Sequence, residues 1–289
     1  MTTSNIQTLH DLAETAVATY ATLQSNASLA RDLINPDTGA GFTETQAADF
    51  VDRYKLLSTQ SNVALNGFSG SVFLDRQTGQ KVLALRGTEF TVGEQVTPDL
   101  VVADILGIGV NGYANLQGLE LYRYFKRLTT VGGQDVSYSD VELRTLYALK
   151  LGPAFGSVVF STPLTALAGL DGFSAFKTGL LGDKGIDAGQ EGASVIGPGE
   201  RIDVTGHSLG GHLALLFARL FPSNVAEVVT LNAPTFFTHG DGFLSMLGFP
   251  ISINGQITRI EADGDGVSEL GNVDPGSAVR MRKRIFQAL

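Results

Sequence analysis

The sequence predicts an α/β fold, a mostly parallel sheet with helices on both faces, and three stretches carry that prediction. From residue 200 onward strand and helix patterns alternate: a strand over 201–206, a helix over 210–221, a strand over 225–233, a strand over 256–262, then an acidic turn and a basic helix over 277–287. Alternation of this kind is met by parallel strands joined through crossover helices. Upstream, "GFSGSVFLD" and "KVLALRG" flank "RQTGQ", a strand pair whose turn has Gly79 available for positive φ. Between them and the second half, "NLQGLELYRYFKRL" (115–128) repeats Leu116, Leu119, Tyr122 and Phe125 at helical spacing, with Lys126 and Arg127 where the helix dipole favours cations.

The remaining elements follow in order. Ile6, Leu9, Leu12, Ala13, Ala16, Val17 and Tyr20 form an apolar stripe, so a first helix is expected over roughly 5–30. Asn35-Pro36 and Asp37-Thr38-Gly39 mark a turn. Thr43 followed by Gln46 has the form of a capping box opening a second helix, "TETQAADFVDRYKLL". Residues 129–200, including "LGPAFGSVVFSTPLTALAGLDGFSAFKTGLLGDKG", are apolar, Gly-rich and without a clean period. They read either as an insertion packed on the core or as a mobile, lid-like apolar cover over a site. No linker divides the chain, so residues 1–289 are expected to form one domain.

Composition narrows the function classes. The chain has 289 residues, a formal net charge of −9 and no cysteine. Disulfides, thiol catalysis and Cys-ligated zinc are therefore excluded. The acidic balance disfavours a nucleic-acid partner. The N-terminus has no basic region followed by an apolar core of the secretory type. No stretch offers roughly eighteen uninterrupted apolar residues, the length of a membrane span.

The chemistry is concentrated in "RIDVTGHSLGGHLALLFARLFP", Arg201 to Pro222, where Gly206 to Gly210 fit G-x-S-x-G. A strand-to-helix turn this sharp holds the serine in a strained conformation and demands small neighbours, which Gly206, Gly210 and Gly211 supply. The helix N-terminus then aims free N–H groups at a developing oxyanion. The plain alternative is a glycine-rich turn without chemistry. His207 and His212 lie too close along the chain to meet the Ser208 oxygen from across the sheet edge, so both are expected to be structural, and His10 is expected on a helix face.

"VTGHSLGGHLA" resembles the nucleophile elbow of the α/β-hydrolase lipases, most closely the class 3 lipases and the catalytic domain of secreted bacterial repeat-containing (RTX-type) lipases. "VLALRGTE", Val82 to Glu89, resembles the strand and turn that these lipases place before the oxyanion hole, and "DLVVADILGIGVNGYANLQ" and "VVTLNAPTFF" resemble segments that follow. The resemblance implies an α/β-hydrolase fold, Ser208 as nucleophile, and backbone N–H groups of Thr88 and Leu209 as oxyanion hole. It assigns Asp104 no role beyond structure, for example in pairing with Arg86.

In this fold the triad runs serine, acid, histidine. Strand 256–262 leads into Glu261, Asp263 and Asp265, and "GDGVSELG" resembles the family's Asp-x-Val stretch, so Asp265 is the expected acid and Asp263 the runner-up. An ordinary acidic turn is the alternative, since Asp-Gly is common turn chemistry. "DGDG" leaves room for a structural calcium, although Val267 fails the third ligand position of an EF-hand loop; the chemistry itself requires no metal or other cofactor. The base is the difficulty. Histidine occurs only at His10, His207, His212 and His239, and none follows Asp265. Either the histidine lies beyond Leu289 in a longer protein, the explanation motif order favours, or His239 serves from the loop after strand 225–233.

The expected activity is hydrolysis of lipid carboxylic esters (triacylglycerol lipase or phospholipase A1 type) through an acyl-enzyme. The expected partners are a lipid ester and a transient lipid interface. The competing readings are a non-catalytic hydrolase-like module that binds lipid or a partner, and a thioesterase or peptidase on the same scaffold. The resemblance implies export without an N-terminal signal, with the cytoplasm as the alternative.

Overall fold

The computed structural model describes residues 6–60, 67–87, 108–167, 169–181, 187, 191–251, 256–263, 267–273 and 277–281. Seven strands form one sheet in sequential order: β1 (Tyr54–Gln60), β2 (Gly70–Asp75), β3 (Lys81–Leu85), β4 (Ile202–His207), β5 (Val225–Leu231), β6 (Gln256–Ala262) and β7 (Ser277–Met281). The first three run antiparallel, and every later pair from β3 to β7 is parallel. This is the α/β architecture expected of the hydrolase fold, and its parallel part, β3 to β7, points five strand ends in one direction.

Helices α1 (Ile6–Ala18), α2 (Leu29–Ile34) and α3 (Glu44–Arg53) cover one face. Strand alternation sorts the core accordingly. Val82, Val229 and Ile260 bury against Leu12, Ala13 and Ala16 of α1, while Phe73 and Ala84 pack with Leu33, Phe50 and Tyr54. Leu83, Leu85, Val204 and Val228 point to the opposite face. There they meet α4 (Asn115–Thr129) and α8 (Leu209–Leu220), the latter buried along its whole length. The expected capping box is present: Gln46 N–H donates to Thr43 Oγ1 at 3.2 Å and Thr43 N–H to Gln46 Oε1 at 3.0 Å. The β2–β3 turn also forms as expected, with Gly79 at φ 74°.

Several elements differ from the sequence expectation. The first helix stops at Ala18, and a separate α2 begins at Leu29. The second stops at Arg53, because Tyr54 turns extended (φ −106°, ψ 137°) and begins β1 against β2. Arg53 fixes that corner by bridging Asp11 at 2.7 Å and Asp75 at 2.8 Å. Residues 277–281 are a strand, not the start of a helix, since the open edge of β6 offers a ladder that local helix propensity cannot match. The loop after β5 contains helix α9 (Thr238–Met246).

The described part of 129–200 is largely helical, not irregular: α5 (Asp140–Ser161), α6 (Leu164–Leu167) and α7 (Asp171–Leu181). A second capping box, Ser139 with Glu142, opens α5. Gly152 (φ 71°, ψ −176°) and Pro153 kink it, and Gly156 packs against Phe243 of α9. Beyond the kink, Phe155 and Val158 are 68% and 66% exposed. Asp187 is buried and anchors the insertion, accepting from Arg123 at 2.6 and 3.0 Å and from Tyr138 at 2.7 Å.

Candidate active site

Ser208 stands between β4 and α8 with φ 56° and ψ −127°, a backbone conformation that L-residues seldom adopt. Its N–H donates to Leu231 O at 2.8 Å, and its carbonyl accepts from His212 N–H at 3.1 Å, which starts the helix. The glycines explain how the chain turns so sharply. A side chain on Gly206 would strike the Gly210 backbone; one on Gly210 would strike Leu85 O. One on Gly211 would lie 2.6 Å from Ala233 Cβ. Ser208 is partly exposed, and no described group hydrogen-bonds its hydroxyl.

The parallel register assembles the neighbours. Leu85 of β3 pairs with Gly206, so Arg86 and Gly87 leave the sheet beside His207 and Ser208. A Gly87 side chain would sit 2.6 Å from His207 O, 2.8 Å from the Tyr20 hydroxyl and 3.2 Å from Ser208 Cβ. Leu209 opens α8, and its N–H, among the first that a helix cannot satisfy internally, has no partner among the described residues. Thr88 and Asp104 lie outside the described residues.

On the other side His207 pairs with Leu231 of β5, and Leu231 with Ile260 of β6. Asn232, at φ 45°, ties these ends together: its N–H donates to Ile260 O at 2.9 Å and its Oδ1 accepts from Ala262 N–H at 2.8 Å. The turn after β6 therefore follows the elbow two strands along. Asp263 is exposed there, Glu261 is buried with Arg259 Nη1 at 3.3 Å, and Asp265 lies outside the described residues. Among the described residues no group of three or more His, Asp or Glu side chains could hold a metal ion.

The four histidines separate clearly. His212 is fully buried, its Nε2 accepting from Ala114 N–H at 3.1 Å and its Nδ1 lying 3.1 Å from Pro234 O. Burial pushes its pKa down to about 4, so the ring is neutral near neutral pH and Nδ1–H donates to the carbonyl. His207 Nδ1 and the Tyr20 hydroxyl share a hydrogen bond of 2.8 Å. His10 lies beside Asp11 on α1 at 3.7 Å. His239 is exposed on the first turn of α9, with Nε2 3.1 Å from Val110 O and its ring stacked 6.0 Å from Phe237. No described hydrogen bond joins His239 to Ser208.

Sequence reasoning missed Tyr20 and Asn232. Asn232 had a usable signal, an Asn directly after a buried strand, the residue type that best tolerates positive φ after glycine. Tyr20 had none, because its contact spans 187 positions of chain.

No family model matches the chain, and no curated protein matches it in sequence. Solved structures with a similar chain path include Lip2 lipase from Yarrowia lipolytica, at 17% identity and a TM-score of 0.44, covering 95% of this chain and 78% of that one. The Rhizomucor miehei lipase propeptide complex follows at 16% and 0.40, covering 98% and 71%. A triacylglycerol lipase from Penicillium expansum follows at 13% and 0.38, covering 97% and 82%. A likeness this coarse carries no functional argument, which rests on the geometry around Ser208.

Proposed function

We propose that this chain is a serine hydrolase of lipid carboxylic esters, of the triacylglycerol lipase or phospholipase A1 type. The observation that carries the reading is Ser208 at φ 56° on a glycine-walled turn, with the end of β3 beside it and a helix N–H, that of Leu209, which has no partner among the described residues. Strain of this kind is retained where it serves a site.

Ser208 Oγ attacks the ester carbonyl while a histidine takes its proton. The tetrahedral oxyanion is held by the N–H groups of Leu209 and Thr88. Collapse expels the alcohol, which receives the proton, and water then releases the fatty acid from the acyl-enzyme. Asp265 orients the imidazolium, with Asp263 as the runner-up for that role. His239 is the candidate base among the described histidines: both ring nitrogens of His212 are engaged and His207 Nδ1 is held by Tyr20, whereas His239, whose Nε2 lies 3.1 Å from Val110 O, has no described partner at Nδ1. The exposed Phe155 and Val158 of the kinked helix suit contact with a lipid surface.

A non-catalytic lipid-binding module is the second reading, supported by the Ser208 hydroxyl having no described partner. Turnover decides between them. Hydrolysis of emulsified triacylglycerol and of phospholipid vesicles should fall to background in Ser208→Ala, and His239→Ala reports whether that ring is the base. Full activity in Ser208→Ala sinks the hydrolase reading.

A further inference from the structure

The face of β4 that turns towards α1 carries Asp203, Thr205 and His207, because alternate residues of a strand share a side. Each meets the N-terminal layer at a different height. His207 Nδ1 and the Tyr20 hydroxyl share their 2.8 Å hydrogen bond just beyond the end of α1. Thr205 donates to Leu12 O at 3.1 Å in the middle of the helix. Asp203 lies near its start, beside a cavity of about 250 Å³ lined by Thr8, Asp11 and Leu12 of α1 and by Asp75 and Val82 of the sheet. The ladder sets a second carboxylate there: Glu227 of β5 is the direct partner of Asp203 in the parallel register, on the same face. Asp11 and Asp75 are both bridged by Arg53, at 2.7 and 2.8 Å. Lys81 of β3 pairs with Glu200 at 2.8 Å, and Arg201 Nε donates to Val225 O at 2.9 Å. Burial raises the Tyr54 hydroxyl, so it stays protonated. A negative charge on Asp203 therefore falls beside Glu227 and close to Asp75, in a place that the docked helix covers.

We propose that α1 is a strap governed by Asp203: it lies closed along β4 while Asp203 is protonated, and its N-terminal half lifts when Asp203 ionises beside Glu227. Burial, reinforced by Glu227, pushes the Asp203 carboxyl up to about 7 under the closed strap. Lifting returns that carboxyl to water and towards its ordinary value of 3.8, so opening becomes more favourable as pH rises from 3.8 through 7. The far end of the strap is Tyr20, bonded to the residue that precedes Ser208, so the state of α1 reaches the elbow from the layer behind the sheet. The strap operates whatever chemistry Ser208 performs.

Hydrogen–deuterium exchange of the full chain at pH 5 and pH 8, corrected for the effect of pH on the chemical rate, reads the strap directly. Protection of the α1 amides from His10 to Thr15 should fall about tenfold or more at pH 8, as expected of an opening linked to one ionisation. At pH 8 these amides should exchange faster than those of α8 and be unmoved by a low concentration of urea, because a local opening exposes little surface. Asp203→Asn should keep at pH 8 the protection that the wild type has at pH 5. His10 and the other titrating groups remain in that variant, so an undiminished fall in Asp203→Asn assigns the response to them and overturns the proposal. Wild-type protection that does not change with pH, or α1 amides that exchange no faster than those of α8, would overturn it as well. Should Asp203→Asn not fold, Asp203→Thr, neutral and β-branched as a strand favours, makes the same comparison.

Discussion

Replacing Ser208 by glycine should make the protein more stable while abolishing the proposed hydrolysis. The backbone there sits at φ 56° and ψ −127°, where a Cβ is penalised. Residues held in such regions store about 1–3 kcal/mol each. Glycine releases that strain but loses about 0.5–1 kcal/mol through the greater freedom of its unfolded chain. The hydroxyl has no described hydrogen bond, so removing it costs little. The net gain is about 1 kcal/mol, or roughly 2 °C in Tm for a chain of this size. Ser208→Ala is the control: it also removes the hydroxyl but keeps Cβ, and should melt within about 1 °C of wild type. Thermal unfolding of all three, followed by circular dichroism at one scan rate, gives the answer. A glycine variant no more stable than the alanine variant would refute the claim that the elbow is strained.

Gly210→Ala should destabilise by about 3 kcal/mol or more in urea unfolding, at the upper end of overpacking costs, because the new Cβ meets Leu85 O, which the sheet cannot move. Asp203→Asn should raise Tm at pH 8 and leave it little changed at pH 4. Burial and nearby Glu227 push the Asp203 carboxyl up to about 7, so ionisation above that value favours the unfolded chain, and the wild type loses stability as pH rises from the unfolded value of 3.8 through 7. His212 has the opposite sign: with a folded value of about 4 against 6.5, the unfolded state takes the proton first, and stability is lost as pH falls from 6.5 towards 4. His212→Asn should flatten that part of the stability–pH curve. Phe155→Asp should lower activity on emulsified long-chain esters severalfold and spare soluble short-chain esters; equal loss on both would remove the lipid-contact role of α5.

The second half of the chain was the more legible because its signals are local. α8 and β5 carry apolar runs, β4 carries the β-branched Ile202, Val204 and Thr205, and G-x-S-x-G fixes the turn between β4 and α8. Tyr54 and Ser277 were misread because their strands are stabilised by the sheet edges they complete, which no window of sequence contains. The kink at Gly152 and Pro153 and the buried Asp187 kept 129–200 from showing a helical period, although α5 and α7 are helices. At the candidate site, the strained turn at Ser208 and the helix start at Leu209 were legible through the G-x-S-x-G pattern. The bond between Tyr20 and His207 was not, since it depends on how α1 crosses β4. His207 looked idle in sequence because its partner lies in another layer.

If Ser208 is an activated nucleophile, as proposed, a fluorophosphonate probe should modify it. Labelling of the folded chain followed by peptide mass spectrometry should place the phosphonyl group on Ser208, with none on the Ser208→Ala variant. A folded wild-type chain that takes up no label at Ser208 would show that this serine is not an activated nucleophile.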